Sequence, residues 1–214
     1  MNTIRLFTSI LIILCCHRCD AQESPSPIHL PKPDTSGGKP LMQVLKERRT
    51  SRSFSGEKLP TQILGNLLWA AFGINRPDGH RTAPSAMNWQ EIDIYVALEE
   101  GLFLYDAPSH TLNRVLGEDI REKTGTQAFV KDAPVNLVYV ADYSKAQRGS
   151  QDDQNLYTGA DCGFIAENVY LYCSSEGLAC VVRGSVDRSL LGKSMRILPE
   201  QKIILTQTVG YLMK

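Results

Sequence analysis

Residues 159–176, GADCGFIAENVYLYCSSE, carry the longest run of helical periodicity in the chain, and what covers that helix decides the fold. Cys162, Ile165, Ala166, Val169, Tyr172 and Cys173 recur at i, i+3, i+4 and i+7, and Gly177 is a natural residue to end the helix. Phe164, Tyr170 and Leu171 occupy its other face. A helix apolar on most sides is buried on most sides, in a large core or at a subunit interface. On either side of it lie short apolar runs of strand type. Val135–Ala141 (VNLVYVA) is continuous, as expected of a strand covered on both faces. Ile92–Leu98, a Glu99-Glu100-Gly101 turn and Leu102–Tyr105 read as a hairpin. Leu178–Val182 and Ile203–Val209 complete the strands. Two more helices precede them: one from Leu41 through Val44 and Leu45 to Arg48, and one opened by Pro60 and stopped by Gly73, with Ile63, Leu64, Leu67, Leu68 and Ala71 as its buried stripe. The expectation is an α+β sandwich: a mixed, mainly antiparallel sheet flanked by helices, without internal repeats. No G-x-G-x-x-G follows any strand, which argues against a dinucleotide-binding fold of the Rossmann type.

The 214 residues are 43% hydrophobic and 21% charged, with formal net charge zero, enough for one domain with a sizeable core. Charge balance excludes non-specific attraction to nucleic acid or to an anionic membrane. Residues 1–21 read as a signal peptide: Arg5 precedes the apolar run Leu6–Cys16, too short for a bilayer span, and Cys19-Asp20-Ala21 supplies small residues before a cleavage point. Lipid attachment at Cys16 or Cys19 is the alternative, and either places the protein outside the cytoplasm, in the periplasm or envelope. Residues 22–40, with five prolines and two glycines, read as a linker, and the domain is expected over 41–214.

Of the cysteines outside the leader, Cys162 and Cys173 sit eleven residues apart on one helix, about 16 Å at ~1.5 Å per residue, too far for a disulfide. Buried thiols serving as small hydrophobes are the expected state. The histidines, His17, His29, His80 and His110, stand singly, so no metal site is expected.

Arg48-Arg49-Thr50-Ser51-Arg52-Ser53 sets three arginines among three hydroxyl side chains where the first helix gives way to a polar turn. Guanidinium forks suit a phosphate bidentately. A basic run is more often a solvated face, so what would make this a site is a cavity and other segments beside it.

Four segments in order resemble the FMN-dependent nitroreductase family. They are Arg48–Phe54 (RRTSRSF); Ala83–Gln90 (APSAMNWQ) ahead of a strand; Ser175–Leu178 followed by Val181-Val182-Arg183-Gly184-Ser185; and Ile197–Gln201 running into the strand that ends Val209-Gly210-Tyr211. The stretch Thr82–Asn88 and the late Gly-Tyr are most similar to the SagB-type dehydrogenase branch associated with thiazole- and oxazole-forming peptide maturation. The resemblance implies FMN held at the interface of a homodimer, with the 159–176 helix in that interface. It implies that Arg48, Arg49, Thr50 and Arg52 hold the phosphate, the ribityl chain and the polar edge of the ring, Arg52 beside the charge of the reduced flavin. Asn88 would hydrogen-bond flavin, and Val182, Arg183 and Gly184 would run along the ring. It further implies an oxidoreductase with no catalytic side chain of its own, NAD(P)H as a donor, and a nitroaromatic, quinone or azoline as the small acceptor. A non-catalytic flavin- or partner-binding envelope module is the competing reading. Glu91 departs from the family pattern, which often has proline there, so the turn after Asn88 is expected to differ.

Overall fold

The apolar run at Val135–Ala141 lies inside a seven-stranded sheet with every residue buried. The structure, a computed structural model, describes residues 27–213; the expected signal peptide and residues 22–26 lie outside that range. The strands are β1 (Ile28–His29), β2 (Ile92–Leu98), β3 (Gly101–Asp106), β4 (Thr111–Leu116), β5 (Val135–Asp142), β6 (Ala179–Arg183) and β7 (Gln201–Gly210). The helices are α1 (Leu41–Glu47), α2 (Thr61–Phe72), α3 (Gln151–Glu176) and α4 (Arg188–Met195). Strand order is β1-β4-β3-β2-β5-β7-β6, and each described pairing is antiparallel, so the α+β sandwich stands with an antiparallel rather than mixed sheet.

Alternation along β5 divides its apolar run between two cores. Val135, Leu137, Tyr139 and Ala141 pack with α2 and α3, together with Leu67, Leu68, Ile165 and Val169. Val138 and Val140 face Leu191 and Met195 of α4. An interior strand has no solvent face, and this is why it reads as unbroken hydrophobicity.

Helix α3 begins at Gln151, not Gly159. Its first two turns lack apolar periodicity and start from a capping box: the Ser150 hydroxyl accepts from Asp153 N (3.1 Å), and the Asp153 carboxylate accepts from Ser150 N (3.0 Å). Gly177 ends it with left-handed backbone at φ 72°. The segment 106–134, unassigned by periodicity, contains β4 and two 3₁₀ turns, Arg121–Thr124 and Ala128–Val130. Cys162, Cys173 and Cys180 are all buried free thiols.

The expected 22–40 linker is corrected over its described part, because residues 27–40 are laid onto the domain. Ile28 and His29 pair with Leu112 and Thr111 on the outer edge of β4. Leu30 is buried in the main core, and its N–H donates to His110 O (3.1 Å). Gln62 of α2 donates to Lys32 O (3.0 Å), Asp34 N donates to Asn66 (2.9 Å), and Lys39 N donates to Ser175 Oγ at the end of α3 (2.9 Å). The prolines limit pairing to two residues, enough to cover an otherwise open sheet edge. The composition of a flexible strap therefore conceals a docked one. Leu30→Ala is expected to cost about 2–4 kcal/mol in a denaturant titration; a cost near zero would return the segment to the status of a tether.

Candidate functional site

Helix α1 stops because Arg48 leaves helical geometry (ψ 122°), with its N–H still bonded to Val44 O. The chain then runs extended, fastened by three contacts. Ser51 N donates to Cys180 O (2.9 Å) and Ser55 N to Tyr211 O (2.9 Å). Phe54, 2% exposed, fills a small separate core with Ala133, Ala179 and Val181. With its backbone and Phe54 anchored, the segment leaves Arg48 half-buried and Arg49, Thr50 and Arg52 exposed.

Tyr170 of α3 gathers this segment to β6. Its hydroxyl accepts from Val182 N (2.9 Å) and shares a second hydrogen bond with Thr50 Oγ1 (3.1 Å), in which either hydroxyl can donate. The Arg48 guanidinium lies over its ring, 5.3 Å from the centroid. Sequence reasoning counted Tyr170 only as part of an apolar helix face. The signal it passed over was the hydroxyl itself, since a buried tyrosine oxygen has to find partners.

Beside Tyr170 opens a cleft of about 500 Å³ lined by Lys39, Lys46, Arg48, Arg49, Ser51 and the floor at Cys180. Lys39 is paired with Glu47 at 2.8 Å. Arg48, Arg49 and Arg52 have no ion pair or hydrogen-bonded carboxylate among the described residues. Two unneutralised guanidiniums lining the cleft, Arg48 and Arg49, with the Ser51 hydroxyl beside them, are a donor set for an anion such as a phosphate; Glu47, which also lines it, is engaged by Lys39, and Arg52 lies just outside the lining. Gly184, exposed just past β6, has open space where a Cβ would lie, Leu205 Cδ2 being the nearest atom at 3.9 Å, and it does not line the cleft.

Arg183 does not present its side chain at this cleft. Alternation along β6 sends it to the face opposite Val182, where it is 4% exposed and donates to Thr124 O (2.8 Å) and Asn136 Oδ1 (3.0 Å). A Cβ on Gly125 would stand 1.7 Å from Arg183 Nη1, so that glycine makes the space. Burial without a carboxylate partner depresses the guanidinium to about 10, leaving it charged at neutral pH. Only its backbone is available along the edge of β6.

Asn88 lies apart from the arginine cleft, in a separate hollow of about 270 Å³ with Arg76, His80, Arg81 and Ser85. Its loop is tightly folded: Met87, Asn88 and Gln90 have φ of 51°, 54° and 49°. Each left-handed residue without glycine costs roughly 1–2 kcal/mol, so the surroundings must impose the path. Ala86 N donates to Asp161 (2.8 Å), Gln90 N to Ser85 Oγ (2.8 Å), and Arg81 Nε to Gln90 Oε1 (2.8 Å). Trp89 packs edge-on to Tyr157, with ring centroids 5.9 Å apart. Within one protomer the structure therefore brings together Arg48, Arg49, Thr50 and Val182, keeps Arg52 and Gly184 nearby in sequence, and leaves Asn88 on another surface. Among the described residues no group of three or more His, Cys, Asp or Glu side chains could hold a metal, and no helix is long and apolar enough to cross a membrane.

Residues 45–211 match the family model described as the nitroreductase family. A Methanocaldococcus jannaschii protein carrying a nitroreductase name is 32% identical over 155 residues, covering 68% of this chain and 78% of its own. A Ralstonia eutropha structure, also carrying a nitroreductase name, superposes with a TM-score of 0.85 at 42% identity, over 90% of this chain and 92% of that one. A subunit of the Escherichia coli microcin synthetase complex shares the fold, with a TM-score of 0.68 at 18% identity over 98% and 85% of the two chains. This chain belongs to the nitroreductase family.

Proposed function

We propose that the protein is an FMN-dependent oxidoreductase working as a homodimer, reducing or oxidising a small flat partner such as a nitroaromatic, a quinone or an azoline. The observation that carries this reading is the trio of unneutralised guanidiniums, Arg48, Arg49 and Arg52, beside a cleft whose wall is gathered by Tyr170. Arg48, Arg49 and Thr50 would hold the phosphate and ribityl chain, Arg52 the polar edge of the ring, and Val182 to Gly184 would offer backbone along it. The bound flavin would supply the hydride chemistry; the chain's residues bind it, orient it and set the charge around it. NAD(P)H is the soluble donor. We further propose that the protein is exported, in which case a quinol or other envelope carrier takes the place of the nicotinamide.

The separation of Asn88 from the arginine cleft supports the dimer, because a symmetric pair lets one protomer's loop meet the other's cleft. The exposed face of α3 fits such contact: Leu156 is 68% and Phe164 48% exposed, and Gly159 and Gly163 between them have open space where a Cβ would lie. Small residues let a facing helix approach closely, and an apolar stripe of this kind marks an interface.

The purified protein is expected to be yellow, with a flavin spectrum released by heat as FMN; a colourless protein that takes up no FMN on titration would sink the reading. Arg48→Ala with Arg52→Ala should weaken FMN at least ~100-fold, because each charge-assisted contact contributes about 1.5–3 kcal/mol. Unchanged flavin content would reduce the cluster to a solvated turn. Tyr170→Phe keeps the ring under Arg48 but strands Val182 N and Thr50, so FMN affinity measured by fluorescence quenching should fall roughly tenfold in a protein that still folds. Leu156→Asp with Phe164→Asp should convert a dimer to a monomer on size exclusion and lose flavin with it. A wild-type protein that already elutes as a monomer, with flavin bound, would overturn the dimer.

A further inference from the structure

Two carboxyl groups are buried together beneath the Asn88 loop. Glu91, which ends the loop and leads into β2, is 0% exposed, and Asp161 on α3 is 2% exposed. Both hold the loop. Asp161 Oδ2 accepts from Ala86 N (2.8 Å), and Glu91 Oε2 accepts from Ser85 Oγ (3.3 Å). Ser85 Oγ in turn accepts from Gln90 N, and Glu91 O accepts from Asp142 N at the start of the sheet.

Among the described residues no cation is paired with either carboxyl. The basic groups of the neighbouring elements are engaged elsewhere, Arg81 by Gln90 and Phe72 O, Lys145 by Asp93. The other titratable groups facing Glu91 are Cys162 of α3 and Tyr143 after β5, both neutral when protonated. Glu91 Oε1 and the Thr158 hydroxyl, one turn from Asp161, are wholly buried without a well-formed hydrogen bond, although Thr158 lies near enough to Glu91 to favour its charged form slightly. Two carboxylates side by side in a core cannot both be charged without a cation, and an unpartnered buried oxygen is costly. One proton resolves both problems by cancelling a charge and turning an orphaned acceptor into a donor. A backbone N–H favours the charged form of each carboxyl, Ala86 N at Asp161 and its own at Glu91; the Glu91 side chain additionally favours charged Asp161, which puts the proton on the Glu91 side of the pair.

We propose that Glu91 and Asp161 share a single proton, and that this pair is the positioning device that holds Ser85–Gln90 in its left-handed path and presents Asn88. Burial pushes both carboxyls above their ordinary range, Glu91 further by the charge of Asp161, while the Ala86 N–H opposes the rise at Asp161. The sign follows. A group whose folded pKa is raised contributes stability fully present below its unfolded pKa, near 4.5 for Glu91, and that contribution is lost as pH rises through the folded value. The presentation of Asn88 to a ligand rests on the flavin reading; the proton-sharing pair and the loop path do not.

The test follows melting temperature from about pH 4.5 to about pH 8.5, together with Trp89 emission in a Trp69→Phe background and FMN affinity, in wild type, E91Q, E91A and D161N. The amide of E91Q keeps a neutral donor at all pH. It should flatten the decline of melting temperature with pH while leaving Trp89 emission and FMN affinity within twofold of wild type. E91A should shift Trp89 emission to that of a released loop and weaken FMN about tenfold. D161N should lessen the decline only in part, since burial alone still raises the Glu91 carboxyl once the partner charge is gone. Parallel pH profiles for E91Q and wild type would overturn the proposal, as would E91Q releasing the loop as fully as E91A. If the wild type binds no FMN at all, the flavin reading fails by itself, and the melting and Trp89 measurements still decide the pair. If E91A does not fold, the comparison of E91Q with wild type decides it.

Discussion

Strand β5 has to be covered on both faces, and most of the architecture answers to that demand. Its two sets of alternating side chains require α2 and α3 on one side and α4 with Leu116 and Ile120 on the other. The polar atoms buried under α3 are paired as well as packed. The Tyr139 hydroxyl bonds to Gln207 on the next strand, and Gln207 Nε2 donates to Ala166 O of α3 and to Cys180 Sγ of β6. That knot sets α3 at a definite height and rotation over the sheet. From that position α3 delivers Tyr170 to the arginine segment and Asp161 to the Asn88 loop. One helix thus positions both halves of the candidate site, about two and a half turns apart along its axis.

Electrostatics separates arginines that look alike in sequence. Arg48, Arg49 and Arg52 follow a helix end on an extended segment whose backbone is pinned, so Arg48 and Arg49 line the cleft and Arg52 stays exposed beside it, none with a neutralising partner among the described residues. Arg183 is one strand position past Val182, and alternation carries it into the core, where Thr124, Asn136 and the vacancy at Gly125 receive it. A charge in the core with only neutral oxygens around it is held by geometry, which makes it a strut between β6, β5 and the 121–124 turn. The same reasoning, applied to acids, makes Glu91 and Asp161 a pair: without a cation, a proton is the remaining means of balancing them.

Much of this was legible in the primary structure. The 3.6-residue period of α2 and α3, the unbroken apolar β5 and the hairpin of β2 and β3 are local patterns with local causes, and they placed the sandwich. The arginine and hydroxyl cluster was equally visible as a local run of charge, and the structure sets Arg48 and Arg49 of it in the lining of a cleft. The start of α3 was misplaced because Gln151–Thr158 is helical by virtue of its cap and of burial at Thr158, not by a repeating apolar stripe. The strap over 27–40 was misread because proline-rich composition reports backbone stiffness and missing donors, and says nothing of whether a sheet edge lies within reach.

The sequence by itself determined α1, α2, the periodic part of α3 and the strands β2, β3, β5, β6 and β7, and where the arginines cluster, because periodicity and side-chain chemistry are properties of neighbours along the chain. Only the tertiary structure decided that Tyr170 joins Thr50 to Val182, that Arg183 turns inward, that Asn88 stands away from the arginines of its own protomer, and that Glu91 meets Asp161. Each of these depends on which way a side chain faces once a strand has taken its register and a helix its rotation, and burial of the two cores sets both.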